Sequence, residues 1–191
     1  MAKLKFYYGN MFSGKTTYLC NTYDIYSRKG LKPVVIKPVL DDREGRQTGW
    51  GKTTSRNGTS IPVYYYTDLK KELPQLEYET LMVDEAQFMS AADVALLTDI
   101  VDNDNVNVIA YGLKTDCNGN LFTGSAALLA QADEAEEIES LCQYEGCGRK
   151  AEIHVRFIDG HVDKTGQAVA IEKGDVTYRS VCRKHWKELT R

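Results

Sequence analysis

The chain has 191 residues, 42% of them hydrophobic, which suits one domain with a smaller appendage and argues against a motor of two stacked ATPase domains. Its 24 basic residues are balanced by 27 acidic ones, for a net charge of -3, so no bulk basic field draws it to nucleic acid. No apolar stretch approaches the length of a bilayer span, and Met1-Ala2-Lys3 leads straight into a strand-like run without a secretory pattern. A cytoplasmic protein with no membrane partner is expected.

Leu4 to Tyr8 is an apolar run that reads as a strand, and it is followed by Gly9-Asn10-Met11-Phe12-Ser13-Gly14-Lys15-Thr16, a complete G-x-x-x-x-G-K-T loop. Glycines let the backbone N–H groups turn toward a phosphate, Lys15 reaches the outer phosphates, and the Thr16 hydroxyl is a magnesium ligand. Thr16 to Lys29 is expected to be helical and to close on a left-handed Gly30. After Pro33, Val34-Val35-Ile36 is a β-branched run suited to a buried parallel strand. The polar, glycine-bearing stretch from Asp41 to Ser60 reads as a mobile loop.

Pro62 to Tyr65 and Leu81 to Val83 are further strand candidates, and Ser90 with Asp93 opens a helix running to about Val101. Asp102 to Asn105 is read as a turn, Val106 to Tyr111 as a strand, and Ser125 to Ala132 as a helix rich in Ala and Leu. Strands separated by helical crossovers imply a parallel α/β sheet with phosphate chemistry at its carboxyl edge. Leu81-Met82-Val83 delivers the adjacent acids Asp84 and Glu85, the arrangement by which a P-loop enzyme holds magnesium and positions a base; Asp84 takes the metal role and Glu85 faces the reacting oxygen.

Five cysteines are an odd number, and Cys20 and Cys117 stand alone in the nucleotide-binding portion, so a disulfide framework is not expected. Cys142 and Cys147 form C-x4-C, and Cys182 with His185 forms C-x2-H, together a tetrahedral structural zinc spacing with no open catalytic position. His161, in a Gly/Asp-rich region, reads as an ordinary solvated histidine. Arg156 to Tyr178 carries glycines at 160, 166 and 174, and is read as a long flexible excursion whose ends the metal ties together, a candidate lid. The expected architecture is a P-loop NTPase-type parallel sheet flanked by helices over residues 1–140, with a small zinc-binding lasso domain over 141–191.

The strings Gly9-x-Met11-Phe12-Ser13-Gly14-Lys15-Thr16-Thr17, Asp41-Asp42-Arg43, Ser55-Arg56-x-Gly58, Asp84-Glu85-Ala86-Gln87-Phe88, Tyr111-Gly112-Leu113-x-Thr115-Asp116, Ala132-Asp133 and Tyr178-x-Ser180-Val181-Cys182-Arg183-x-His185 resemble the type II, zinc-containing thymidine kinases in order and spacing. The resemblance covers nearly the whole chain. It implies transfer of the ATP γ-phosphate to the 5′ hydroxyl of thymidine, with deoxyuridine a second substrate, by an enzyme that is commonly a tetramer and is inhibited by dTTP. Glu85 then corresponds to the general base, Arg43 to an arginine near the transferring phosphate, and Asp41 to a residue that helps hold that loop. Gly9 to Thr17 bind ATP, and Thr16 and Asp84 bind magnesium.

In the family the lasso grips the thymine largely through its main chain. The resemblance places Tyr178 over the base, Met11, Phe88 and Leu113 along the pocket, Val169 and Ile171 among the substrate-binding residues, and Arg156 as a support for the loop. The chain departs from the family at three places. Cys117 stands where an aromatic ring is usual, which loosens packing on the base. His154, carried as a candidate base contact, replaces a small hydroxyl residue, and the first cysteine pair is spaced by four residues rather than two. Two rivals remain from the residues themselves: a polynucleotide-stimulated P-loop ATPase with a zinc ribbon, and a non-catalytic adaptor that uses nucleotide as a switch.

Overall fold

A computed structural model describes residues 1–39, 48–163 and 175–191. Along the chain the elements are β1 (Leu4–Tyr8), α1 (Lys15–Arg28), β2 (Pro33–Pro38), β3 (Gly49–Thr54), β4 (Ser60–Tyr66), α2 (Leu69–Glu72), β5 (Thr80–Val83), α3 (Ala91–Asp104), β6 (Asn107–Gly112), α4 (Thr123–Gln131), β7 (Glu134–Glu137), β8 (Ile153–Ile158), β9 (His161–Val162), β10 (Val176–Val181) and α5 (Arg183–Thr190). Among the described residues, seven strands form one sheet in the order β3-β4-β2-β5-β6-β1-β7. All its pairings are parallel except β3 with β4. This is the expected P-loop-type α/β sheet.

Side-chain alternation explains why both faces are covered. Val34 and Ile36, Leu81 and Val83, and Val108 and Ala110 point to one face, where Val94, Leu97, Ile100 and Val101 of α3 and Leu128 of α4 close over them. The intervening Val35, Met82, Ile109 and Tyr111 point to the other, under Leu19 and Cys20 of α1. A central strand buried on both faces has no use for polar alternation, which is why β5 is apolar throughout its last three positions. α1 closes as expected: Gly30 sits at φ +73, and the Gly30 and Leu31 N–H groups donate to the carbonyls of Ser27 and Tyr26. Ser90 and Asp93 form a reciprocal capping box on α3.

Three expectations need correction, and one strand is unexpected. The stretch from Asp41 to Ser60 is not all loop, because Gly49–Thr54 is an edge strand paired antiparallel to β4; residues 41–47 lie outside the described residues. Asp102 to Asp104 continue α3, and the turn is reduced to a left-handed Asn105. Glu134–Glu137, to which the sequence assigns no element, forms the opposite edge strand, β7, with Glu134 paired to Lys3 and Lys5. Arg156 and Tyr178 are not the ends of a free excursion; they face each other in the antiparallel β8–β10 pair. Only 164–174 of that stretch lie outside the described residues.

Past β7 the chain builds a smaller antiparallel sheet, β10-β8-β9. Its core is Cys142, Val155, Phe157, Val181 and Cys182, with Trp186 and Leu189 of α5 packed against it. The two sheets meet at the loop after β1. Asn10 Nδ2 donates to the Ala151 carbonyl at 2.9 Å, and Ser180 Oγ donates to the Met11 carbonyl at 2.6 Å.

Candidate active site

Four loops converge at the carboxyl edge of the large sheet. The β1–α1 loop turns on a left-handed Phe12 and Gly14, at φ +66 and +87, which only a glycine adopts without strain at the second position. Gly9 has no room for a side chain, since a Cβ would lie 2.5 Å from Ser13 Oγ and 2.6 Å from the Ile138 carbonyl. Met11, Phe12, Gly14, Lys15, Thr16 and Thr17 line a cleft of about 230 Å³ with Thr54, Arg56, Glu85 and Leu113. Lys15 Nζ donates to the Gly9 and Asn10 carbonyls at 3.2 and 2.7 Å. Burial pushes its pKa down to about 8, against the opposing fields of Glu85 and Asp84.

Asp84, at the end of β5, is buried and hydrogen-bonded on both oxygens. Oδ2 accepts from Lys37 Nζ at 2.9 Å and Thr53 Oγ1 at 3.1 Å, while Oδ1 accepts from the Glu85 N–H. Burial disfavours the Lys37 ammonium, but Asp84 and Glu85 outweigh it and raise its pKa. Oδ1 retains a lone pair for a cation or its water, so the residues present fit a magnesium site at Thr16 and Asp84. Glu85 follows in a left-handed conformation, φ +55, which turns its side chain out of the strand line. Backbone strain of this kind is costly for a residue with a Cβ and clusters at functional sites. A 3-10 turn, Ala86–Phe88, comes next, and Phe88 packs edge-on against Phe122 with ring centres 5.5 Å apart.

The second sheet lies against the phosphate loop, where Ser180 meets Met11. Along one face of the β8–β10 pair stand His154, Arg156, Tyr178 and Ser180, the face from which Ser180 reaches Met11. His154 is buried, its ring lies edge-on to Tyr178 at 5.7 Å, and burial, together with the Lys15 and Arg156 charges and against Asp116, lowers its pKa to about 4. It is therefore a neutral imidazole at neutral pH. Arg156 is paired with Asp163 and, with Cys117, Asn118 and Trp186, lines a neighbouring hollow of about 240 Å³ rather than the cleft itself. The Trp186 indole N–H fixes the Cys117 carbonyl at 2.9 Å. Thus Met11 and Leu113 share the cleft with Glu85, whereas Cys117 and Arg156 line the other hollow. Asp41, Arg43, Val169 and Ile171 lie outside the described residues.

Cys142, Cys147, Cys182 and His185 converge so that their ligand atoms all lie within 4.8 Å of one another. Cys142 Sγ and Cys182 Sγ are 3.4 and 3.5 Å from His185 Nδ1. Burial raises the Cys142 thiol. At Cys182 burial works the same way but is overcome by the amide N–H groups of His185 and Lys184 at the start of α5 and by the neighbouring thiols, which lower it. Tyr144 stacks on the His185 ring at 3.9 Å. Three thiols and one imidazole in a closed cluster are a donor set suited to structural zinc, and the four-residue spacing of the first pair does not keep Cys142 out of it.

Several residues in the cleft or beside its acids carry no role legible in the sequence. Lys37 is the last charged position of an apolar strand and Gln87 sits inside the acidic motif; Thr53 and Thr54 were hidden in the presumed loop. Arg56, which belongs to the Ser55-Arg56-x-Gly58 string, lies over the Phe12 ring at 3.8 Å.

Comparison with known proteins agrees with this geometry. The thymidine kinase family profile matches residues 2–186. A curated thymidine kinase from Haemophilus influenzae is 39% identical, covering 98% of this chain and 97% of its own length. Thymidine kinases from Mannheimia succiniciproducens, 38% identical over 100% and 97% of the two chains, and from Vibrio vulnificus, 39% identical over 98% of each, align equally well. With the phosphate loop, the acidic motif and the Cys/His cluster in place, the chain belongs to the thymidine kinase family of ATP-dependent deoxynucleoside kinases.

Proposed function

We propose that the protein transfers the γ-phosphoryl group of ATP to the 5′ hydroxyl of thymidine, with deoxyuridine as a second substrate, and that Glu85 is the general base. The observation that carries this reading is that Glu85 lines the same cleft as Lys15, Thr16, Met11 and Leu113, so a carboxylate stands between the phosphate loop and an apolar wall. In the reaction the 5′ oxygen attacks the γ-phosphorus as the bond to the β,γ-bridging oxygen breaks. ADP leaves, and the hydroxyl proton passes to Glu85.

Gly9 to Thr17 hold the triphosphate through backbone N–H groups and Lys15. Thr16 and Asp84 would hold magnesium, which when bound offsets charge on the phosphate oxygens. Arg43 takes the role of a cation beside the transferring group and Asp41 steadies its loop. Met11, Phe88, Leu113, Cys117, His154, Arg156, Val169, Ile171 and Tyr178 form or support the pyrimidine pocket, whose closure favours transfer to sugar over water. Cys142, Cys147, Cys182 and His185 would hold a structural zinc, and the boundary near residue 140 separates the nucleotide-binding unit from the lasso. We assign the enzyme to the cytoplasm as a homotetramer restrained by dTTP. No helix among the described residues is long and apolar enough to cross a membrane.

Incubation with labelled ATP and a panel of nucleosides tests the assignment: labelled dTMP is expected. ATP hydrolysis stimulated by a polynucleotide, with no nucleoside monophosphate formed, overturns it.

A further inference from the structure

Gln87 is not among the residues lining the cleft, yet its buried carboxamide is committed at both ends. Its Oε1 accepts the Leu113 N–H at 3.0 Å, and its Nε2 donates to Glu85 Oε2 at 2.6 Å. A backbone N–H can only donate, so the amide oxygen has to face Leu113 and the NH2 group has to face the carboxylate. The amide thus donates to Glu85 Oε2, and such a bond is strongest to the ionised carboxylate, the form that can accept a proton.

The surroundings hold this amide in place. A Cβ on Gly112 would lie 2.8 Å from Gln87 Oε1 and 2.9 Å from its backbone nitrogen, so the approach depends on that residue having no side chain. Ser125 Oγ, near the start of α4, donates to the Leu113 carbonyl, which fixes the same residue through its following peptide group. Gly124 beside it lets α4 pass within contact distance of the Ala86, Gln87 and Met89 carbonyls. On Glu85 itself, Oε1 has only Lys37 Nζ near it among the described ion pairs, at 3.9 Å.

We propose that Gln87 is a positioning residue for the reaction: it tethers one oxygen of Glu85 to the Leu113 peptide and leaves the other free to meet the nucleoside hydroxyl. This rests on the reading of Glu85 as the base. Holding a base at one orientation is worth a substantial part of general-base catalysis, since a small misplacement costs up to about a hundredfold.

The test is a double-mutant cycle on the zinc-loaded enzyme, with Gln87→Met, close in volume but lacking the amide, and Glu85→Gln. In the otherwise native enzyme Gln87→Met is expected to lower kcat by about 10- to 100-fold and to leave KM for ATP and thymidine within about threefold. In the Glu85→Gln background it should change the residual rate by less than about twofold, because the amide acts only through the carboxylate. Gln87→Glu, which keeps the acceptor for Leu113 and loses the donor, is a second probe with the same expected kcat-selective fall. Equal losses in both backgrounds, or an unchanged kcat with an active parent enzyme, overturn the inference for Gln87 alone. A parent that phosphorylates no nucleoside overturns both it and the assigned reaction.

Discussion

The two units of this protein are held together by different physics. The large sheet is stabilised by area: aliphatic residues fill both faces, and Leu19, Val35, Ile36, Leu81, Met82, Val83 and Leu97 are wholly removed from solvent. The small sheet has a core of Val155, Phe157 and Val181, with Cys142 and Cys182 as the rest of its buried apolar cluster. Two of its five central members are thus candidate metal ligands, so what is a minor part of the budget in one unit is a principal part in the other. A small core is compensated by cross-linking, whether by disulfide or by metal.

The strongest way to break this comparison is to strip the Cys142, Cys147, Cys182 and His185 cluster of the zinc proposed for it. Chelation, or Cys182→Ser, is expected to unfold the β8–β10 unit, with a loss on the order of 10 kcal/mol of metal-linked folding energy. Thymidine affinity should then collapse while ATP affinity changes by less than about threefold, both read by calorimetry beside elemental analysis that finds about one zinc per chain in the native protein. A metal-free preparation with full activity would contradict the contrast.

Next is a cavity in the other unit. Leu97→Ala, in α3 over the large sheet, should cost about 2–5 kcal/mol of stability and leave zinc content unchanged, as measured by denaturant unfolding. A loss of zinc together with stability would show that the two cores are not separate sources.

Glu85→Gln lies on neither core and should cost at least about a hundredfold in turnover, near 2.7 kcal/mol, with nucleotide binding retained. Thymidine turnover at the native rate would remove Glu85 from the chemistry.

The smallest effect is one of acidity. His154 faces Lys15, Asp116 and Arg156 and has a folded pKa of about 4, below the ordinary value near 6.5. Between those values the unfolded chain binds the proton more readily, so this contribution is complete above about pH 6.5 and is lost as the pH falls toward 4. Unfolding free energies at pH 7 and pH 5 should differ by about 2 kcal/mol from this residue, and His154→Gln should remove that share.

Much of the molecule was legible where local chemistry leaves little choice. The phosphate loop needs Gly9, Gly14 and Lys15 at fixed offsets; α1 ends at a left-handed glycine; the capping box marks α3; an apolar strand must precede Asp84. The remainder was obscured by residues whose local preference and tertiary role disagree. Gly49 and Gly51 make β3 read as a loop, although a Cβ at Gly51 would strike the Tyr65 ring at 2.8 Å, so the glycine belongs to the pairing. Glu134 to Glu137 carry no strand-like apolar pattern, and in β7 Lys3 and Lys5 answer Glu134. Glycines at 160, 166 and 174 masked the strands on either side of them. Lys37 and Gln87 gave no signal because a single polar residue declares its partner only when the chain has folded.

The loop that receives the triphosphate is stitched on both sides to the smaller unit, by Asn10 to Ala151 and by Ser180 to Met11. Any shift of that loop as phosphates arrive is felt along the same seam that carries Tyr178 and His154. The energy by which one substrate prepares the site for the other must be equal in the two directions, so an order of addition seen in kinetics reflects which door opens faster and not which guest is better received.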